Sequence, residues 1–75
     1  MTVTVYTRTT CGPCKTLKHW LKLKNIEFVE KNVEDEGLLD EMLRKTGMMS
    51  VPQTLVGDRV VTGPHFSLLS ELLMV

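Results

Sequence analysis

The two cysteines of this 75-residue chain, Cys11 and Cys14, lie only three positions apart. A bond between them would close a very short loop and remove little entropy from the unfolded chain. The chain therefore cannot be read as a small domain stapled by disulfides. It has to fold on its apolar core, and a core of this size is only marginally stabilising. The apolar fraction of 43% is that of an ordinary globular protein. One domain over residues 1–75 is expected.

No apolar run reaches the length of a membrane span. Met1 to Tyr6 lack the basic-then-apolar pattern of a signal peptide. A cytoplasmic protein with no membrane association is expected, and structural disulfides are rare in that compartment. A cysteine pair there points to redox cycling or to metal binding. The net charge is zero but unevenly spread. Residues 1–24 carry Arg8, Lys15, Lys18, Lys22 and Lys24 and no acid, whereas residues 25–41 carry seven acids against Lys31 alone. Either this makes a positive surface around the cysteines, or two solvated faces simply differ in sign. Without an overall basic excess, nucleic-acid binding is not expected.

Alternating β-branched residues predict a strand over about 2–7. Thr9 to Gly12 read as a loop, and Pro13 suits the first turn of a helix. Leu17, Trp20, Leu21 and Lys24 follow at helical spacing, with Asn25 as the stop. Ile26–Val33 reads as a second strand. Leu38, Leu39, Met42 and Leu43 mark a second helix, its early acids and late bases matched to the dipole and Gly47 placed at its end. Gln53–Val56 and Arg59–Thr62 form a hairpin about Gly57-Asp58. Gly63-Pro64 then opens a helix carrying Phe66, Leu69, Leu72 and Leu73. The order β-α-β-α-β-β-α predicts an α/β fold with a four-stranded mixed sheet flanked by three helices, its first two strands parallel through a right-handed crossover.

Cys11 precedes a helix whose first N–H groups lack backbone partners. Those groups and the helix dipole favour a thiolate, as do the nearby charges of Arg8 and Lys15. Cys14, one turn on, could attack a mixed disulfide at Cys11 intramolecularly. Pro13 stiffens the spacer between them. An alternative is half of a zinc site completed by His19 and His65, although these two are not closely spaced. Val51-Pro52 admits a cis peptide bond, with an ordinary trans bond as the alternative. If cis, the Val51 backbone could pair with a substrate chain in strand fashion. Met48 and Met49 either rim that segment for partner proteins or pack beneath the loop.

Val5-Tyr6-Thr7-Arg8-Thr9-Thr10-Cys11-Gly12-Pro13-Cys14, followed by Ser50-Val51-Pro52-Gln53 and Gly57-Asp58, resembles the glutaredoxins and glutaredoxin-like redoxins of the thioredoxin superfamily, the NrdH-type redoxins among them. The resemblance spans nearly the whole chain. It implies a thioredoxin fold and a protein-disulfide reductase with Cys11 as nucleophile and Cys14 as resolving thiol. It also implies a cis Pro52 with a substrate contact through the Val51 backbone. Further substrate-contact candidates are Tyr6, Arg8, Gly12, Pro13 and Gly63. No bound cofactor or metal is implied, only the redox-active Cys11–Cys14 disulfide, in a protein expected to act as a monomer. The spacer Gly12-Pro13 is the pair typical of thioredoxins. Thr62-Gly63-Pro64-His65-Phe66 lacks the acidic pair with which classical glutaredoxins hold glutathione. Thioredoxin reductase with NADPH is thus the expected reductant, with glutathione as the alternative. Disulfide-bearing proteins, ribonucleotide reductase among them, are the expected substrates. A reading of another class is a non-enzymatic metal-binding or docking module on the same fold.

Overall fold

The computed structural model describes residues 2–75, so Met1 of the expected 1–75 domain lies outside the described residues. Its elements are β1 (Val3–Thr7), α1 (Gly12–Leu23), β2 (Val29–Asn32), α2 (Leu38–Thr46), β3 (Gln53–Val56), β4 (Arg59–Thr62) and α3 (Phe66–Leu73). They form one four-stranded sheet in the order β2-β1-β3-β4. β1 and β2 are parallel, and the two remaining pairs are antiparallel. This is the element order and mixed sheet that the sequence predicts.

Strand alternation sends side chains to two different layers. Val3, Val5, Val56 and Val61 point to one face and meet Leu17 and Leu21 of α1 and Leu69 of α3. Trp20 and Phe66 close the edge of this layer with ring centroids 5.2 Å apart. The opposite face holds a smaller cluster of Tyr6, Val33, Met42 and Leu55, covered by α2. In α1, Leu17 and Leu21 are buried, Trp20 is half-buried and Lys24 is exposed over the Trp20 ring. Lys24 therefore ends the apolar stripe rather than extending it.

Two boundaries differ from the sequence expectation. The second strand starts at Val29, not Ile26. The chain reverses at Asn25, in the left-handed region at φ 57°, and the Ile26 N–H donates to Leu21 O at 3.0 Å. Ile26 and Phe28 then pack on the α1 layer without ladder pairing. The last helix starts at Phe66, after a cap at His65. Gly63 (φ 71°) and Pro64 make the turn before it, with the His65 N–H bonded to Gly63 O. The hairpin closes at Gly57, the only one of its two turn residues with positive φ, which suits a type II′ turn.

Candidate active site

The topology gathers the conspicuous residues at one end of the sheet. β1 runs out at Thr7 into the loop that carries Cys11. β3 is antiparallel to β1, with Gln53 opposite Tyr6, so Val51-Pro52 enters beside the same end. β4 finishes there too, with Thr62 opposite Gln53, and the Gly63 N–H donates to Pro52 O at 2.9 Å.

Cys11 is the N-cap of α1 and Pro13 lies in the first turn, as expected. The Cys14 N–H donates to Cys11 Sγ at 3.1 Å, so one of the orphan amides of the helix start is aimed at that sulfur. Cys11 and Cys14 are joined in a disulfide with Cα atoms 5.2 Å apart. Cys14 is buried, while Cys11 is partly exposed beside the exposed Gly12 and Pro13. The outer sulfur is thus the one a large reactant can reach.

The Val51–Pro52 bond is cis. Pro52 is buried and Val51 half-buried. Gln53, wholly buried, braces this segment: its Nε2 donates to Ser50 O at 3.0 Å and to Ser50 Oγ at 3.1 Å, while its Oε1 accepts from Thr62 Oγ1. The sequence places Gln53 at the start of the third strand and in the family-like segment but gives it no bracing role. A glutamine inside an apolar strand, one residue after X–Pro, was the available signal.

A second brace holds the cysteine loop. Glu34 accepts the Thr9 hydroxyl at 2.6 Å and the Thr9 N–H at 3.2 Å, and Asn32 Nδ2 donates to the same hydroxyl. The Thr9 hydrogen bonds, helped by the charge of Arg8, hold the Glu34 carboxyl below the usual carboxylate range. Arg8 is exposed beside this brace. This link between loops more than twenty residues apart left no local signature.

Tyr6 requires a correction. It points to the α2 face, is fully buried, and donates its hydroxyl to Glu41 Oε2 at 2.7 Å. Burial, then the bond to Glu41, pushes its phenol well above the ordinary value. It is a core residue, with no surface to offer a substrate. Met48 and Met49 are exposed and do not pack beneath the loop. His65 accepts the Leu68 N–H at its own helix start, and His19 is exposed on α1. Among the described residues no group of three or more histidine, cysteine or acidic side chains is placed to hold a metal ion.

The glutaredoxin family profile matches residues 3–61. A glutaredoxin-like 8.6 kDa protein encoded in the rubredoxin operon of Clostridium pasteurianum is 36% identical over 81% of this chain and 83% of its own length. The glutaredoxin-like protein NrdH of Lactococcus lactis is 31% identical over 93% of this chain and 97% of its own. The solved structure of the NrdH-redoxin of Escherichia coli, a glutaredoxin-like protein described as having a thioredoxin-like activity profile, superposes with a TM-score of 0.83 at 28% identity, covering 96% of this chain and 95% of that one. The fold is accordingly the thioredoxin fold. The chain belongs to the glutaredoxin family, and Cys11–Cys14 is the redox-active disulfide of a thiol–disulfide oxidoreductase.

Proposed function

We propose that the protein reduces disulfides of other proteins by a dithiol cycle, drawing electrons from NADPH through thioredoxin reductase. The observation that carries this reading is the asymmetry of the pair, with Cys11 Sγ reachable at a helix N-cap and Cys14 buried behind it. In the reduced protein the Cys11 thiolate attacks one sulfur of the substrate disulfide. A mixed disulfide forms and the first substrate sulfur leaves as a thiolate. Cys14 then loses its proton and attacks Cys11 Sγ, the second substrate sulfur leaves, and the Cys11–Cys14 disulfide forms. Two electrons have passed to the substrate, and two from the reductase reopen the bond. The Cys14 N–H in the first turn of α1 favours the thiolate in the opening step, and the fixed one-turn offset gives the resolving step its high effective concentration.

In this reading the Val51 backbone, at the same end of the sheet as the Cys11 loop and followed by Pro52 and the Gln53 brace, pairs with the substrate chain. Gly12, Pro13 and Gly63 form the surface around it, and Arg8 adds positive charge. The cycle runs in the cytoplasm, in a single-domain monomer, and ribonucleotide reductase is a fitting recipient. Two things favour thioredoxin reductase over glutathione. The spacer is Gly12-Pro13, and Thr62 to Phe66 offer no carboxylate to a glutathione amino group. Similarity to the NrdH proteins supports the same reading. The test compares turnover with NADPH and thioredoxin reductase against turnover with NADPH, glutathione and glutathione reductase. Activity in the first system alone is expected. Activity only in the second would overturn the choice of reductant. A Cys14→Ser variant is expected to accumulate mixed disulfides through Cys11. A variant that trapped nothing and still bound its partner would favour a non-enzymatic docking module.

A further inference from the structure

The helix that carries both cysteines has no acidic residue anywhere along its length. Lys15, His19 and Lys22 fall at i, i+4 and i+7, which places them on one side of the helix. All three are exposed. The stripe begins one residue past Cys14 and runs about 10 Å along the axis, away from the active-site end. Lys18 lies at its shoulder, but Glu30 of β2 neutralises it at 2.8 Å. Lys24, beyond the stripe, sits over the Trp20 ring. Among the described residues neither Lys15 nor Lys22 makes an ion pair. Asp35, Glu36 and Asp40, acids outside the two ion pairs, belong to α2 and the loop before it, and Glu30 of β2, already paired with Lys18, is the acid that also feels the charge of Lys22.

Lys15 and Lys22 stand seven positions apart on this side with the imidazole of His19 between them, and α1 carries no acid of its own to offset either charge. What a one-sign stripe provides is attraction for an opposite charge, concentrated next to the reacting sulfurs.

Resting on the reading of the protein as a protein-disulfide reductase, we propose that the Lys15–His19–Lys22 face of α1 docks an acidic segment of the disulfide-bearing protein substrate. The segment lies along α1 while the substrate disulfide meets Cys11. The protein therefore prefers disulfides followed by acidic chain over those followed by basic chain.

The test uses pre-reduced wild-type protein in single turnovers, so that no reductase is involved. The probes are three synthetic peptides with one disulfide and an acidic, a neutral or a basic flank, together with hydroxyethyl disulfide. At low ionic strength the acidic-flank peptide is expected to react about tenfold faster than the basic-flank peptide. That ratio should collapse as salt rises from about 0.01 M to about 1 M and the screening length shrinks from about 30 Å to about 3 Å. Lys22→Glu should remove or invert the ratio, and Lys22→Arg should keep it. Equal rates for the two charged flanks would overturn the proposal, and so would a preference that survives Lys22→Glu. A salt-sensitive dimer of the wild-type protein, abolished by Lys22→Glu, would assign the stripe to a second copy instead. Failure to reduce any peptide, or hydroxyethyl disulfide, would remove the reductase reading itself.

Discussion

The two faces of the sheet are built on different principles. The α1 and α3 face is mainly apolar, with Val5, Leu17, Leu21, Val61 and Leu69 essentially inaccessible and only Thr7 and Thr54 as buried polar side chains among them. The α2 face has a thinner layer, and its centre is a polar chain in which Tyr6 and Lys31 both donate to the Glu41 carboxylate at 2.7 Å. The difference follows from what each face must hold. The first seats the helix that presents Cys11 and Cys14, and a displaced helix start would misplace both sulfurs. The second braces one short helix, of whose side chains only Met42 is fully buried. β2, an edge strand, serves both faces through its charges: Glu30 reaches Lys18 of α1, and Lys31 reaches Glu41 of α2. Charged side chains also keep this edge from pairing with another chain.

The comparison breaks most directly by opening a cavity on each side. Leu21→Ala is expected to cost about 3–4 kcal/mol, since close-packed neighbours on both α1 and α3 cannot fill the space. Met42→Ala should cost less, about 2–3 kcal/mol, because Leu39 and Val51 beside it are only half-buried and can settle inward. Trp20, the single tryptophan, reports both in urea titrations. Equal losses would show that the two layers are packed alike. Leu21→Ala should also slow disulfide reduction before it unfolds the protein, whereas Met42→Ala should slow it only in proportion to the unfolded fraction.

The large apolar layer was legible in the sequence because its signals are local. Leu17 and Leu21 repeat at helical spacing, Val3 and Val5 alternate, and Gly57-Asp58 marks the hairpin. The cysteine motif and Val51-Pro52 were legible for the same reason. The braces were not. Gln53 reaches Ser50 and Thr62, Glu34 reaches Thr9, and Tyr6 reaches Glu41 of α2. Each of these depends on which residues the fold brings together, and periodicity carries no record of that. Tyr6 was misread because its neighbours in sequence run toward the active site, while strand alternation turns its ring to the opposite layer. Ile26 was misread as strand because its apolar character serves packing from a loop.

Removing one hydroxyl from each face should give effects of opposite sign. Tyr6→Phe takes away the donor to Glu41 and leaves that oxygen to Lys31, at an expected cost of about 1 kcal/mol. On the apolar face, Thr54 Oγ1 is buried without a hydrogen-bond partner among the described residues. Thr54→Val keeps the shape, removes the unpaired group and should stabilise by about 1 kcal/mol. Denaturation midpoints of the two variants, read against wild type, separate a satisfied polar group from an unsatisfied one. A loss of stability in Thr54→Val would mean that its hydroxyl has a partner in solution.

The smallest effects belong to the edge strand and appear as a pH dependence. Hydrogen bonds from Lys18 and Thr7 hold Glu30 below its ordinary value of 4.5, and those from Lys31 and Tyr6 do the same for Glu41. A carboxyl with a depressed folded value takes up its proton at higher pH in the unfolded chain than in the folded one. Its contribution is therefore complete above 4.5 and is lost as the pH falls through that value toward the folded one. Thermal midpoints should be flat above this range and decline below it. Glu30→Gln and Glu41→Gln should each remove part of the decline, and the double variant more than either, with Glu34 leaving a remainder. Because the two pairs lie on opposite faces of one strand and share no partner, their effects should add. A double variant that declined as steeply as wild type would show that neither pair holds its helix to the sheet, and that packing alone does so on both faces.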